Sequence, residues 1–266
     1  MSKKIEFLDL GQQPLANYYL NKSQIKKKEQ KYRLIVCFNN QNKLVFIKKT
    51  FSSKMMFNNK YPYRSSMSKT MQKSFKELAK QIKLKINPKK ILEIGSNDGS
   101  FLKNFKKSMS IGIEPCANVE KITKEQNFNT IPKYWDTKLA KNILKKHGNF
   151  DLIYSANTIS HIKDLNDVFK SIDLVLSKNG TFILEDPSLI ECLKRNTYDQ
   201  FYNEHIYVFS YLSLSNILKK FNLEIYKIEN LDIHGGSNRY FIKRMDNKIK
   251  IEKSVIKQKK EEIKDG

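Results

Sequence analysis

The stretch Ile91-Leu92-Glu93-Ile94-Gly95-Ser96-Asn97-Asp98-Gly99-Ser100-Phe101-Leu102 constrains the fold most. Ile91, Leu92 and Ile94 form a short apolar run of the kind that makes a strand covered on both faces. Gly95 and Gly99 permit torsions and close approaches that a side chain would block. Ser96, Asn97 and Asp98 can cap a helix whose first N–H groups face outward. A turn of this kind at the carboxyl end of a parallel strand is where open α/β sheets hold nucleotide-like ligands. An ordinary strand-to-helix connection is the plainer alternative.

Downstream, strands and helices alternate. Ser110-Ile111-Gly112-Ile113-Glu114-Pro115 reads as a second strand, and a helix runs from about Asn118 to Gln126. Glu114 falls about twenty residues after the glycine turn, where a carboxylate can accept hydrogen bonds from ribose hydroxyls. Thr130-Ile131-Pro132 marks a third strand, Phe150 to Ser155 a fourth, and Thr181 to Pro187 a fifth. An amphipathic helix spans Leu165 to Leu176. Asn157 and His161 follow the fourth strand, at the functional edge of such a sheet. The only tryptophan, Trp135, fits either beside an adenine ring or in the core. A helix from about Ser213 to Phe221 precedes strands Leu223–Glu229 and Arg239–Lys243. Between those strands lies the glycine loop Ile233-His234-Gly235-Gly236-Ser237-Asn238-Arg239. The expected class is α/β, an open Rossmann-like sheet.

Residues 1–70 depart from this alternation. Leu8 to Asn17 reads as a strand or turn running into an extended segment at Pro14. Tyr32–Cys37 and Leu44–Ile47 form a hairpin around Asn39-Asn40-Gln41-Asn42. The loop Tyr61-Pro62-Tyr63-Arg64-Ser65-Ser66 leads into a helix from about Lys69 to Lys83. Met71, Phe75, Leu78, Ala79 and Ile82 form its apolar face. From Asn247 to Gly266 a charged, helical tail with little to bury is expected.

Composition narrows the function classes. With 39% hydrophobic residues over 266 positions the chain can build a large core. No apolar run approaches a membrane span, and Met1 to Glu6 lacks the apolar stretch of a signal peptide. The expectation is a cytoplasmic protein without a membrane partner. The formal charge of +23 raises nucleic-acid binding. The lysines are spread through nearly every segment, without the basic-aromatic stripe of a single-strand binder, so nucleic acid is not expected. A positive surface does suit an anionic small substrate. Cys37, Cys116 and Cys192 are far apart and form no CxxC pair, which fits packed thiols rather than a metal site.

Two cofactor classes suit the turn, dinucleotides and S-adenosylmethionine. The dinucleotide spacing G-x-G-x-x-G is absent. Glu93 to Ser100 instead resembles motif I of the class I S-adenosylmethionine-dependent methyltransferases. The series Leu10–Asn17, Tyr61–Ser66, Glu93–Leu102, Gly112–Pro115, Ala156–Ile162, Tyr198–His205 and Ile233–Arg239 resembles, in that order, the nucleotide-sugar C-methyltransferase family. Its members methylate C3 of keto-deoxysugars through an enolate. The resemblance implies S-adenosylmethionine as cofactor, contacted by Glu93, Gly95, Asn97, Asp98, Gly99, Glu114 and Asn157. It implies His205 as base, with Glu204, Tyr202, His161 and Tyr63 in the catalytic group. Tyr61, His234, Gly235 and Arg239 would contact substrate.

The family usually carries an N-terminal zinc site built from CxxC pairs. Cys37 alone stands where its second pair would lie, so no zinc is expected. The family also continues into a C-terminal domain, so residues 1–70, 71–246 and 247–266 are expected to be a lid segment, a methyltransferase domain and the start of a further domain. A separate chain could supply that domain. The competing functions are an O- or N-methyltransferase of another small acceptor and an inactive basic binding protein of the same fold.

Overall fold

A computed structural model describes residues 4–265. Met1, Ser2, Lys3 and Gly266, part of the terminal segments read above, lie outside the described residues. The first elements are β1 (Lys4–Gln13), β2 (Tyr32–Asn39), β3 (Leu44–Ile47), α1 (Ser53–Met56) and α2 (Lys69–Lys85). Then come β4 (Ile91–Ile94), β5 (Ser110–Ile113), α3 (Ala117–Glu125), β6 (Asn129–Ile131), α4 (Thr137–His147), β7 (Phe150–Ala156) and α5 (Leu165–Val175). The chain continues through β8 (Leu176–Pro187), α6 (Leu189–Arg195), β9 (Tyr207–Val208) and α7 (Tyr211–Leu218). It ends with β10 (Leu223–Leu231), β11 (Ser237–Arg244) and α8 (Lys253–Asp265).

Seven strands form the main sheet in the order β10-β11-β8-β7-β4-β5-β6. All neighbours are parallel except β11, which runs antiparallel to β8 and β10. The period-two alternation of strand side chains divides the core between the two faces. Leu92, Ile94, Ile153, Phe182 and Leu184 join one cluster with Ile143 of α4, Phe169 of α5 and Leu218 of α7. Ile91, Leu152, Tyr154 and Ile183 point the other way, into a cluster with Phe75, Leu78 and Ile82 of α2. The expected face of α2 is the one buried, and Ser68 caps the helix by accepting from Met71 N at 3.2 Å.

The strand order reverses between β4 and β7, so a crevice opens beyond their carboxyl ends. The Gly95 turn therefore lies at the position where such sheets take ligands. Among the described residues, no helix is long and apolar enough to cross a membrane.

A second, four-stranded sheet has the order β1-β2-β3-β9. The β2–β3 hairpin has the expected turn, with Asn39 opposite Leu44. β9 comes from far along the chain and pairs Phe46 with Tyr207 and Val45 with Val208. The segment carrying Tyr202 to His205 is thereby tied to the N-terminal residues just before it enters the main sheet's layer. Val36, Val45, Cys192, Phe201 and Val208 pack as this sheet's own core. Cys37, Cys116 and Cys192 are all buried and unbridged.

The tail buries more than its sequence suggests. Val255, Gln258 and Glu262 of α8 are buried. Glu262 accepts from the amides of Tyr211 at 2.8 Å and Leu212 at 2.9 Å, supplying partners to the open N-terminus of α7.

Candidate active site

The β4 turn depends on backbone conformation. Gly95 has φ +76, and a Cβ there would stand 2.0 Å from Thr158 Oγ1. The Gly95 and Ser96 amides both donate to Ile113 O, at 2.9 and 3.0 Å, which locks the turn against β5. A Gly95→Ala substitution adds an L side chain in the left-handed region as well as the clash. We expect it to lower unfolding free energy by at least about 1–2 kcal/mol, read from the denaturant midpoint. Thr158→Ala in the same chain should recover part of that loss by removing the colliding hydroxyl.

A cavity of about 740 Å³ opens over this turn and the ends of β5 and β7, within the range of small-molecule sites. On one side it is lined by Glu93, Gly95, Asn97, Glu114, Trp135 and Asn157. Glu93 is buried and its Oε2 has no hydrogen-bond partner. Burial pushes its carboxyl well above the usual range, and the carboxylates of Asp98, Glu114 and Glu185 add to the shift. Ser96 Oγ is also buried without a partner. Glu114 accepts from Asn97 N at 3.0 Å and Cys116 N at 2.8 Å. Burial raises its carboxyl, and those two N–H donors oppose the shift.

Aromatic and imidazole groups line the other side: Tyr61, Tyr63, Tyr202, His161, His205 and His234. His205 Nδ1 lies 2.8 Å from Gln200 O, so Nδ1 carries the proton and Nε2 accepts. The Tyr202 hydroxyl lies 3.1 Å from that Nε2 and donates to it. Burial pulls the His205 pKa down to about 4, against the opposing Gln200 carbonyl. The ring is therefore neutral at ordinary pH. The His161 ring stacks on Phe57 at 5.3 Å and lies 5.1 Å from the His205 ring. Burial holds it neutral too, with His205 adding to the shift, and its Nε2 has no partner.

Several expected site residues stand elsewhere. Asp98 and Gly99 do not line the cavity. Asp98 accepts from Ser66 N at 3.0 Å and from Ser100 Oγ at 2.6 Å. Gly99, at φ +77, packs against Thr123 and Phe128. Glu204 stands behind the lining, where Asn17 Nδ2 donates to its Oε1 at 3.0 Å. Burial raises its pKa to about 7. Gly235 also lies outside the lining and lets its loop approach Gln200. Arg239 also lies outside the lining. Its guanidinium is buried on the α2 side of the sheet, 2.6 Å from Glu185, 2.9 Å from Glu229 and 3.2 Å from Ser74 Oγ. A cation in that layer must be paired.

Other contributors carry little local signal. Gln200 fixes the His205 tautomer through its backbone carbonyl, which any residue could present. Phe57 and Thr158 act through contacts made only on folding. Trp135 lines the cavity and also belongs to the core.

Residues 1–57 match a family described as a putative zinc binding domain. The described part of that stretch contains one cysteine, Cys37, and no histidine. It does not fit a structural zinc site, which takes about four such ligands. Residues 63–228 match the family described as a methyltransferase domain. The chain is 30% identical over 149 residues to the C-methyltransferase NovU of Streptomyces niveus, covering 55% of this chain and 36% of that protein. The chain thus spans about a third of the length of that curated relative. A S-adenosylmethionine-dependent methyltransferase from Clostridium acetobutylicum is similar in fold, with TM-score 0.50, 17% identity, and coverage of 65% of this chain and 92% of that one. The PH0226 protein from Pyrococcus horikoshii matches with TM-score 0.51 and 16% identity, over 68% of this chain and 94% of that one. With more than half of its length matched and the sheet order described above, the chain belongs to the methyltransferase-domain family, a Rossmann-like class I methyltransferase by fold.

Proposed function

We propose that this chain is a S-adenosylmethionine-dependent C-methyltransferase acting at C3 of a nucleotide-linked keto-deoxysugar. The observation that carries the reading is the neutral, tautomer-fixed His205 paired with Tyr202 on the wall of the cavity. The similarity to a C-methyltransferase over 149 residues supports carbon as the accepting atom.

The residues present fit the methyl donor. Glu93 lines the cavity and its buried Oε2 has no partner, which a bound polar ligand can satisfy. Gly95 lines the cavity, and its missing Cβ lets Thr158 close against the turn. Glu114 keeps lone pairs for ribose hydroxyls beyond those used by its two amide donors. Asn157, at φ 48, lines the cavity beyond β7. When bound, S-adenosylmethionine supplies an electrophilic methyl group on a sulfonium.

A C–H beside a carbonyl needs a base and a stabiliser for the oxygen that becomes negative. His205 Nε2 takes the proton, and Gln200 O, already bonded to Nδ1–H, supports the charged ring. The single Nε2 lone pair takes this proton once the Tyr202 O–H has swung off it. The tyrosine O–H is then free to donate to the enolate oxygen. His161 Nε2 is assigned to hydrogen-bond the sugar. Tyr61 and Tyr63 wall the acceptor side. Lys54 and Lys133, also on the cavity wall, suit the acceptor's phosphates. Water exclusion by the rings keeps the enolate from being reprotonated before methyl transfer.

The test uses S-adenosylmethionine with a ¹³C-labelled methyl group and a panel of nucleotide-linked keto-deoxysugars. The expected product carries the label on carbon, with the chemical shift of a C-methyl group. A label on oxygen or nitrogen would replace this reading with that of an O- or N-methyltransferase.

A further inference from the structure

Two of the residues that motif I offers as donor contacts have side chains bonded to a different segment. Asn97 Oδ1 accepts from Ser65 N at 2.9 Å, and Asn97 Nδ2 donates to Tyr63 O at 3.3 Å. Asp98 Oδ2 accepts from Ser66 N at 3.0 Å. Both side chains grip the strap that carries Tyr61 and Tyr63. Other holds on this strap come from Asn118 Nδ2, which donates to Tyr61 O at 3.0 Å, and from Arg64. The Arg64 guanidinium donates to Tyr61 O at 2.7 Å and Tyr63 O at 2.8 Å.

The two sides of the turn are unequal. On the strap side its polar groups are paired. On the cavity side Glu93 Oε2 remains buried without a partner. Asn97 links the sides: its backbone N–H donates to Glu114 Oε2, while its side chain holds the strap. A ligand that satisfies the cavity side stiffens the turn from which the strap hangs.

We propose that Asn97 and Asp98 are positioning residues for the acceptor-side tyrosines, so that donor occupancy at the turn orders the Tyr61–Ser66 strap and favours acceptor binding. The coupling is reciprocal: an acceptor that orders the strap tightens the donor by the same factor. The inference rests on the donor reading of the cavity and is independent of which acceptor is methylated.

Hydrogen exchange at the Ser65 and Ser66 amides reads this directly, because those N–H groups donate to Asn97 and Asp98. The probe is S-adenosylhomocysteine, with binding followed by calorimetry. In the wild-type chain, saturating probe should slow exchange of both amides about fivefold or more. Asn97→Gly keeps a residue that tolerates φ 46 and removes only the side chain. Read at saturating probe, it should lose the probe-dependent slowing at Ser65.

Unchanged exchange in the wild type on saturation overturns the proposal. An equal response in Asn97→Gly does so as well, and a tenfold or greater loss of probe affinity would return Asn97 to the donor. If Asn97→Gly does not fold, the wild-type pair of measurements alone decides. A wild-type chain that does not bind the probe overturns the donor reading itself, a result distinct from all of these.

Discussion

Replacing His205 with Asn lowers turnover about 10²- to 10⁴-fold, the range a positioned general base contributes. Affinity for S-adenosylhomocysteine stays close to wild type, because His205 lies on the acceptor side of the cavity. Asn approximates the ring's hydrogen-bonding shape but cannot take a proton at neutral pH. The loss should therefore fall on kcat more than on donor binding. The pH profile gives a second check. His205 has a depressed pKa, so its basic form persists as pH falls and is lost only near pH 4. The acid limb of kcat/KM assigned to this group should sit there and not near the ordinary value of 6.5. A limb near 7 belongs to Glu204 and should vanish in Glu204→Gln. An His205→Asn enzyme with near-normal turnover would remove this residue from the chemistry.

The second large effect is on stability. Arg239→Met should cost about 3–5 kcal/mol of unfolding free energy, the range for breaking a buried ion pair from one side. The substitution leaves Glu185, 1% exposed in its side chain, without its cation, although Tyr154 still donates to Glu185 Oε2 at 3.0 Å. Glu229 loses one of two cations, since Lys227 stays paired with it. The denaturant midpoint should fall with the slope unchanged. Arg239→Met combined with Glu185→Leu should be more stable than Arg239→Met alone, because the uncompensated charge is then gone. A small loss in the single variant would show that water reaches this layer.

Arg239 also marks a limit of sequence reading. It closes the motif Ile233–Arg239, and an arginine after a glycine loop suits an anionic substrate. Its side chain is set by strand parity, which sends it with Phe241 toward α2 and into Glu185 and Glu229. That outcome depends on β8 and β10 being its neighbours, and local sequence does not state this. The same limit applies to β9. Two residues gain strand pairing only because β3 stands beside them, yet this pairing ties the His205 segment to the N-terminal sheet.

Periodic features were legible. The apolar face of α2, the run of β4, the acidic end after β5 and the β2–β3 hairpin all follow from local pattern. α4 was missed although its signals are present. Asp136 caps it, Leu139, Ala140 and Ile143 share a face, and Gly148 ends it. Its lysines dilute that pattern. The charged tail looked unburied because its exposed face dominates, while Glu262 finds the amides of α7 only in the folded chain.

The site itself was legible as a set of residues more than as a set of roles. His161, His205, Tyr202, Tyr61 and Tyr63 converge on one cavity as their motifs suggested. Motif I puts Asn97 and Asp98 beside the glycines as donor contacts. Asn97 does line the cavity, but both side chains are bonded to the strap, a partner 32 residues earlier in the chain.

Solvent exchange at C3 tests the central claim most directly. The chain is incubated in deuterium oxide with S-adenosylhomocysteine and a nucleotide-linked keto-deoxysugar, so that proton abstraction can occur without methyl transfer. Deuterium should enter at C3 with wild-type protein and fail to enter with His205→Asn. Exchange that persists undiminished in His205→Asn, or methylation of such a sugar at C3 with no exchange under these conditions, would contradict the assignment of His205 as the base that forms the enolate.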